Sequence, residues 1–549
     1  MSKIQIALCQ INPIVGDLQG NAEKIIDYIT RHDSSDVIVF PELALIGYPP
    51  EDLVHNSAFL SEHNKILDTI VFYTSKIKSH ILLSTAYRLK GELYNCILVI
   101  SDGKINQAIP KIHLPNYSVF DEKRLFTQGK SAEIFEINNI KLGVLTCEDL
   151  WFADVSKELL SKGAQVLLSL NASPYDIKKI DSRNGIIKSR NNETHLPIIY
   201  LNLVGGQDEL VFDGRSFIVD KYGNTIHVMK AWQEDAVEIN ISKDLNISVQ
   251  SKIHKVFSIS QEYDIYSALM LGLKDYTRKN GFKKVLLGLS GGVDSALTAV
   301  IAVDALGSEN VRCVRLPSMY SSDHSLTDAE ELAVKLGVHL DTVDIEAMYH
   351  SIESSLNDVF KGLSHDITEE NIQARIRGVV LMAMSNKFNS LLLTTGNKSE
   401  VAVGYATLYG DMCGSFSLLK DIYKTSVFNL SNWRNKNKPD NALGPSGIVI
   451  PRNIIVKPPS AELREGQKDS DSLPEYDILD DILKELIEKE TELDKIVNQG
   501  YDIELVKRIS NLLFVAEYKR FQAAPGVRIT TRNLSRDRRY PITNKFRFK

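Results

Sequence analysis

Cysteine is scarce in this 549-residue chain: Cys9, Cys96, Cys147, Cys313 and Cys413 are odd in number and far apart. That pattern excludes a disulfide framework and fits a reducing compartment, with any one cysteine open to use as a nucleophile. There is no Cys-x-x-Cys, and the twelve histidines form no His-x-x-x-His, so no zinc-binding spacing is present. No apolar run approaches the roughly 18 to 20 residues that cross a bilayer, and residues 1–10 read as a first strand rather than an export signal. These absences predict a soluble, cytoplasmic protein with no membrane partner. An excess of positive charge is missing too. The 64 Lys and Arg against 70 Asp and Glu leave a net charge of −6, which argues against nucleic acid as a partner.

What is present is ample core material. Hydrophobic residues make up 43% and charged residues 24%, and a chain this long predicts two to four domains. In the first half, short β-rich runs at 4–11, 37–40, 81–86, 96–100, 141–146, 166–170, 198–203 and 216–219 alternate with turns and helical stretches, an α/β pattern. Periodicity fades into a polar stretch at 240–255, which predicts two domains, 1–245 and 246–549. Beyond it, buried-looking strands at 285–289, 311–316, 338–345 and 391–395 alternate with longer helical segments. Such alternation predicts a doubly wound parallel sheet with ligands at the carboxyl ends of its strands. Thr327-Asp-Ala-Glu330 predicts a helix start, and the Pro-, Asn- and Gly-rich 435–447 predicts a loop.

The run at 285–289 leads directly into Ser290-Gly-Gly-Val-Asp-Ser-Ala296 and a helical segment closing at Gly307. A strand, a glycine turn and a helix start form an anion cradle, because free N–H groups and the helix dipole favour negative charge. No Lys follows the glycines, so this is not the common P-loop. Asp294 instead suits a Mg²⁺ ligand on a pyrophosphate. The segment resembles the loop of the N-type ATP pyrophosphatases, which release PPi and transfer AMP.

Three pieces of the first half place a reactive side chain at or beyond a strand end: Glu42 after 37–40, Lys111 after a turn, and Cys147 after 141–146. A lysine beside a thiol lowers its pKa, and a carboxylate in reach can take and return the proton. Together the three resemble the Glu-Lys-Cys triad of the nitrilase superfamily, in the same chain order.

Both halves taken together resemble the glutamine-dependent NAD⁺ synthetases. The first half carries Leu114-Pro-Asn-Tyr-Ser-Val-Phe-Asp-Glu122, Asn171-Ala-Ser-Pro-Tyr175 and Val204-Gly-Gly-Gln-Asp-Glu-Leu-Val-Phe-Asp-Gly214. The second carries Pro317-Ser-Met-Tyr-Ser-Ser322, Glu370-Asn-Ile-Gln-Ala-Arg-Ile-Arg-Gly378, Thr395-Gly-Asn-Lys-Ser-Glu400, Leu408-Tyr-Gly-Asp411 and Lys457-Pro-Pro-Ser-Ala-Glu-Leu463. The resemblance implies an α/β fold class: a nitrilase-like α-β-β-α sandwich followed by a Rossmann-like parallel sheet. It implies an enzyme that adenylates deamido-NAD⁺ with ATP and aminates it with ammonia from glutamine, in a homodimer or higher homo-oligomer. Free ammonia is mostly protonated in neutral water, so a sheltered passage between the two sites is expected.

Residue by residue, the resemblance implies Cys147 as nucleophile, Lys111 stabilising thiolate and oxyanion, and Glu42 shuttling the proton. Tyr48, Tyr117, Glu122, Glu148 and Ser173 match glutamine-pocket positions. Ser290, Gly292, Asp294, Ser295, Arg315, Arg375 and Thr395 match ATP positions, with Asp294 and Glu400 as Mg²⁺ ligands. Asp411, Lys424, Ser460 and Lys519 match positions around deamido-NAD⁺. Thr146 stands where the resemblance would have an apolar residue. The tail 519–549 holds ten Lys or Arg and one acid, Asp537. Such a tail reads either as a solvated arm or as charge for anionic ligands, Lys519 and Arg520 included. Two other readings stay open: an ATP-pyrophosphatase amidotransferase for another acid, and an ammonia-only synthetase with a non-catalytic first half.

Overall fold

The computed structural model describes residues 3–249 and 260–547. The chain divides into two compact units, 1–259 and 260–549. The strand Ile247–Val249 still pairs with Asp235–Ser242, so the first unit's sheet runs past residue 245. Of the polar stretch 240–255 expected as the junction, 250–255 lies outside the described residues.

Among the described residues the first unit contains a seven-stranded and a six-stranded sheet. The strand Lys3–Gln10 shows why they stack. Ile4, Ile6 and Leu8 point into the layer between the sheets, against Leu142, Val144, Leu168 and Leu170. Ala7 and Cys9, on the opposite face, pack against the helices Leu18–Arg31 and Ser57–Tyr73. Both faces are thus buried, as expected for strands covered on two sides. The six-stranded sheet is covered outside by Ala153–Ser161 and Lys179–Thr194 through Val155, Leu159 and Ile187. The result is the expected α-β-β-α sandwich. Cys9 and Cys96 are spent as core in the helix-side layer.

The strands Val37–Val39, Ile140–Thr146 and Val166–Asn171 each run in parallel with a neighbour. Their carboxyl ends deliver Glu42, Cys147 and Ala172–Ser173 in turn.

In the second unit five parallel strands lie in the order His339–Thr342, Val311–Arg315, Val285–Gly288, Leu391–Thr394, Phe416–Ser417. The helix Val293–Leu306 is buried all round apart from Asp294, and Leu381 and Met382 of the helix Ile367–Phe388 pack on the sheet at Leu286 and Leu392. This is the doubly wound parallel sheet the sequence pattern implied. The strand expected at 338–345 forms over only four residues, His339–Thr342, at the sheet's edge.

One local expectation fails. The helix Asp323–Leu336 begins at Ser322, whose side chain accepts from the Ser325 N–H, and Thr327 lies inside it, donating to the Asp323 carbonyl. The start is set by a distant partner: Glu462 accepts from both the Ser322 and Ser325 hydroxyls, at 2.7 and 2.6 Å. The basic tail, open between a solvated arm and charge for anionic ligands, packs into the unit over 528–538. Arg528 pairs with Asp537 at 2.7 Å and Arg538 with Glu517 at 2.6 Å, while Asp421 accepts from the Ile529 and Thr530 N–H groups.

One buried ion cluster ties three helices of this unit. Asp304, at the end of Val293–Leu306, accepts from both guanidinium arms of Arg434 at 2.6 and 2.9 Å and from the Tyr266 hydroxyl at 2.5 Å. All three residues are fully buried. Removing one partner of such a pair strands the other's charge. Asp304→Ala is expected to cost about 3–5 kcal/mol in urea unfolding, whereas loss of the Ser322 cap in Ser322→Ala costs about 1 kcal/mol.

Candidate functional site

In the first unit the chain after Val37–Val39 turns at Pro41, and the Leu43 N–H donates to the Ser84 hydroxyl at 2.9 Å. This aims Glu42 inward. One oxygen of Glu42 accepts from the Lys111 ammonium at 2.7 Å and from the Asn95 amide at 2.8 Å, and the other accepts from the Ala172 N–H at 2.9 Å. Lys111 is anchored through its backbone: its N–H donates to the Asn95 carbonyl at 2.9 Å, and its carbonyl accepts from Gly129 at 2.8 Å. A Cβ on Gly129 would lie 2.7 Å from the Pro110 oxygen, so only glycine allows this approach.

The ammonium also reaches Glu122 at 2.8 Å, on the same oxygen that accepts from the Tyr48 hydroxyl at 2.8 Å. Exposures of 0%, 1% and 2% for Glu42, Lys111 and Glu122 put one cation between two carboxylates in a dry interior. Burial opposes the Lys111 charge, but Glu122 and Glu42 outweigh it and hold the ammonium well above its usual pKa. Burial pushes Glu122 up to about 7 against the pull of Lys111, and its second oxygen has no hydrogen-bond partner among the described residues.

Cys147 begins a short 3₁₀ turn after Ile140–Thr146, with φ at +42°. Burial raises its thiol well above the ordinary range, with Glu42 adding to the rise and Lys111 opposing it. Burial thus favours the thiol over the thiolate here, against the pull of the neighbouring lysine. Beside it, Glu148 accepts from the Tyr117 hydroxyl at 3.0 Å, and burial raises its carboxyl. Ser173 sits one residue beyond the Ala172 N–H that binds Glu42. Its N–H donates to Asn202 at 2.9 Å, and Arg183 donates to its carbonyl at 2.7 Å while pairing with Asp213 at 2.8 Å. Asn95, Asp149, Arg183, Asn202 and Asp213 were not singled out from sequence, because each serves through a partner at least ten residues away.

In the second unit the loop 290–295 is braced internally. The Ser290 and Ser295 hydroxyls lie 3.1 Å apart, and the Gly292 N–H donates to Ser290 at 3.2 Å. Gly291, at φ +78°, packs so closely on Ser325 that a Cβ would fall 2.4 Å from its carbonyl oxygen. Asp294 projects to the Lys424 ammonium at 2.5 Å and accepts from Asn397 at 2.8 Å. Glu400 meets the same ammonium at 3.3 Å. Burial raises Glu400 to about 8, Lys424 opposing and Asp294 adding. Two carboxylates from separate elements thus converge on one cation. This is the hard oxygen donor set, completed by phosphates and water, that suits Mg²⁺.

Arg375, Asp411 and Lys519 line one cavity of about 220 Å³ with Tyr405, Thr407 and Gln467. Asp411 accepts from the Thr407 N–H at 2.7 Å, and Lys519 donates to the Gly404 and Ala406 carbonyls. Ser460 donates to the Gln467 carbonyl at 2.6 Å. Thr395 is half-buried beyond Leu391–Thr394. Arg315 turns to Thr342, the Leu326 carbonyl and Glu330. Arg520 donates to the Ala402 and Leu513 carbonyls and to Glu517 inside the fold, a structural use of its charge.

Comparison with known proteins gives two family matches: the carbon-nitrogen hydrolase family over residues 5–247 and the NAD synthase family over residues 265–523. The chain is 46% identical to a glutamine-dependent NAD(+) synthetase of Rhodobacter capsulatus, covering 99% of each chain. It is 42% identical to that of Thermotoga maritima over the full length of both. Among solved structures it is similar to the glutamine-dependent NAD+ synthetase of Acinetobacter baumannii, determined in complex with ADP, at 39% identity, TM-score 0.78 and 99% coverage of each chain.

If Asp294 and Glu400 hold a divalent ion, the Lys424 ammonium competes with it. Lys424→Met is expected to tighten Mn²⁺ binding by about tenfold or more, read by electron paramagnetic resonance, and Asp294→Asn to weaken it.

Proposed function

Because the chain belongs to the glutamine-dependent NAD(+) synthetase family, we propose that Cys147 of the first unit releases ammonia from glutamine, and that the second unit spends it on deamido-NAD⁺. The sum is deamido-NAD⁺, ATP, glutamine and water giving NAD⁺, AMP, PPi and glutamate. The observation that carries the first half is the Lys111 ammonium held between Glu42 and Glu122 beside a buried thiol.

Glu42 takes the thiol proton as sulfur attacks the amide carbon, a role supported by the burial that favours the neutral thiol. Lys111 steadies the oxyanion, where a fixed charge in a dry pocket is worth most. Glu42 then gives the proton to the leaving nitrogen and takes one from the water that cleaves the thioester. Tyr48, Tyr117, Glu122, Glu148 and Ser173 shape the glutamine pocket; Tyr48 and Tyr117 do so through their bonds to Glu122 and Glu148.

In the second unit Ser290, Gly292 and Ser295 offer hydroxyl and N–H donors to the pyrophosphate of ATP, and Arg375, Thr395 and Arg315 belong to the same reading as ATP contacts. Asp294 and Glu400 would hold Mg²⁺, which neutralises charge on the departing pyrophosphate. Asp411, Lys424, Ser460 and Lys519 border the deamido-NAD⁺ site, a reading supported by the shared cavity of Asp411 and Lys519. No helix among the described residues is long and apolar enough to cross a membrane, and the five unpaired cysteines support a cytoplasmic setting. Assembly as a homodimer or larger belongs to the same reading. Sedimentation velocity is expected to show at least a dimer.

Cys147→Ala is expected to lose glutamine-driven NAD⁺ formation by about a thousandfold or more while ammonium-driven formation persists. Full glutamine-driven activity in that variant would refute the assignment, and AMP release without deamido-NAD⁺ would point to another acid as substrate.

A further inference from the structure

Taking the Glu42, Lys111 and Cys147 trio as a glutaminase, we propose that Asp149 is its positioning residue, a carboxylate staple that fixes the nucleophile's turn against the lysine's segment. Asp149 touches neither thiol nor ammonium directly. One of its oxygens accepts from the Ile112 and His113 N–H groups at 3.0 and 2.7 Å. The other accepts from the Thr146 N–H at 3.2 Å. The donors are the two residues directly after Lys111 and the one directly before Cys147. A single buried side chain, 2% exposed, therefore spans the two segments whose register sets the distance from sulfur to ammonium.

Cys147 needs such support. Its φ of +42° lies in the left-handed region, where a Cβ crowds the backbone and surrounding structure must impose the conformation. The restraint is reciprocal: the Thr146 side chain accepts the Asp149 N–H while the Asp149 carboxylate accepts the Thr146 N–H. This accounts for the polar Thr146 at a position where an apolar residue was expected. An apolar side chain there would leave the Asp149 N–H without that acceptor. The Lys111 segment is pinned from its other side by Asn95 and Gly129, so Asp149 supplies the remaining restraint toward the cysteine.

Asparagine tests this closely, because it keeps size and one acceptor oxygen but turns an NH₂ toward a peptide N–H. In the full-length enzyme Asp149→Asn is expected to lower kcat for glutamine hydrolysis by about 10- to 100-fold, the scale of an ångström-level misplacement. KM for glutamine should change less than about threefold and ammonium-driven turnover should persist. Thr146→Val should lower the same kcat, and Thr146→Ser should restore it. An Asp149→Asn enzyme with wild-type kcat, or one losing KM and kcat alike, overturns the proposal. If Asp149→Asn does not fold, the threonine pair decides: a Thr146→Val enzyme at full rate overturns it, and a loss rescued by serine upholds it. Cys147→Ala, run in parallel, separates the premises: if it still hydrolyses glutamine, the glutaminase reading fails first.

Discussion

The architecture of the first unit converges on one unfavourable act, the removal of a lysine and two glutamates from water. A buried cation survives only with countercharge and hydrogen bonding, and Lys111 draws both from Glu42 and Glu122. Much else follows from that. Asn95 and Ala172 complete the bonding of Glu42 and Tyr48 adds a bond to one oxygen of Glu122, and Gly129 must lack a side chain for the lysine's backbone to close up. The sandwich positions these groups because parallel strands deliver Glu42, Cys147 and Ala172 to the same side of the layer.

The second unit uses a related device on a different scaffold. Lys424 begins the helix Lys424–Lys436, where the dipole disfavours a cation. It is held there by Asp294 and Glu400. In both units a lysine keeps two carboxylates close together in the absence of substrate. In the first unit the pair is Glu42 and Glu122, in the second Asp294 and Glu400.

The sequence made legible what depends on short-range pattern. The glycine loop at 290–296 and its helix to Gly307 were readable because strand, turn and helix are contiguous. Glu42 and Cys147 stood out because each follows a strand-like run, and Lys111 because it follows a turn in the chain order of the triad. Asp149 was in plain view two residues after Cys147 and went unassigned, since its partners Ile112 and His113 are more than thirty residues away. The start of Asp323–Leu336 was misread for the same reason: its cap is reinforced by Glu462. The tail's ten cations gave no sign that Asp537, Glu517 and Glu490 would neutralise several of them.

The central claim is that a buried ammonium makes the Cys147 thiol competent toward an amide. Mass spectrometry of protein quenched during glutamine turnover tests it directly, comparing the wild type with a Lys111→Met enzyme that retains ammonium-driven synthesis. The wild type should show a glutamyl adduct on the peptide containing Cys147, and the variant should show none. An adduct forming on Cys147 at the wild-type rate without the lysine would contradict the account.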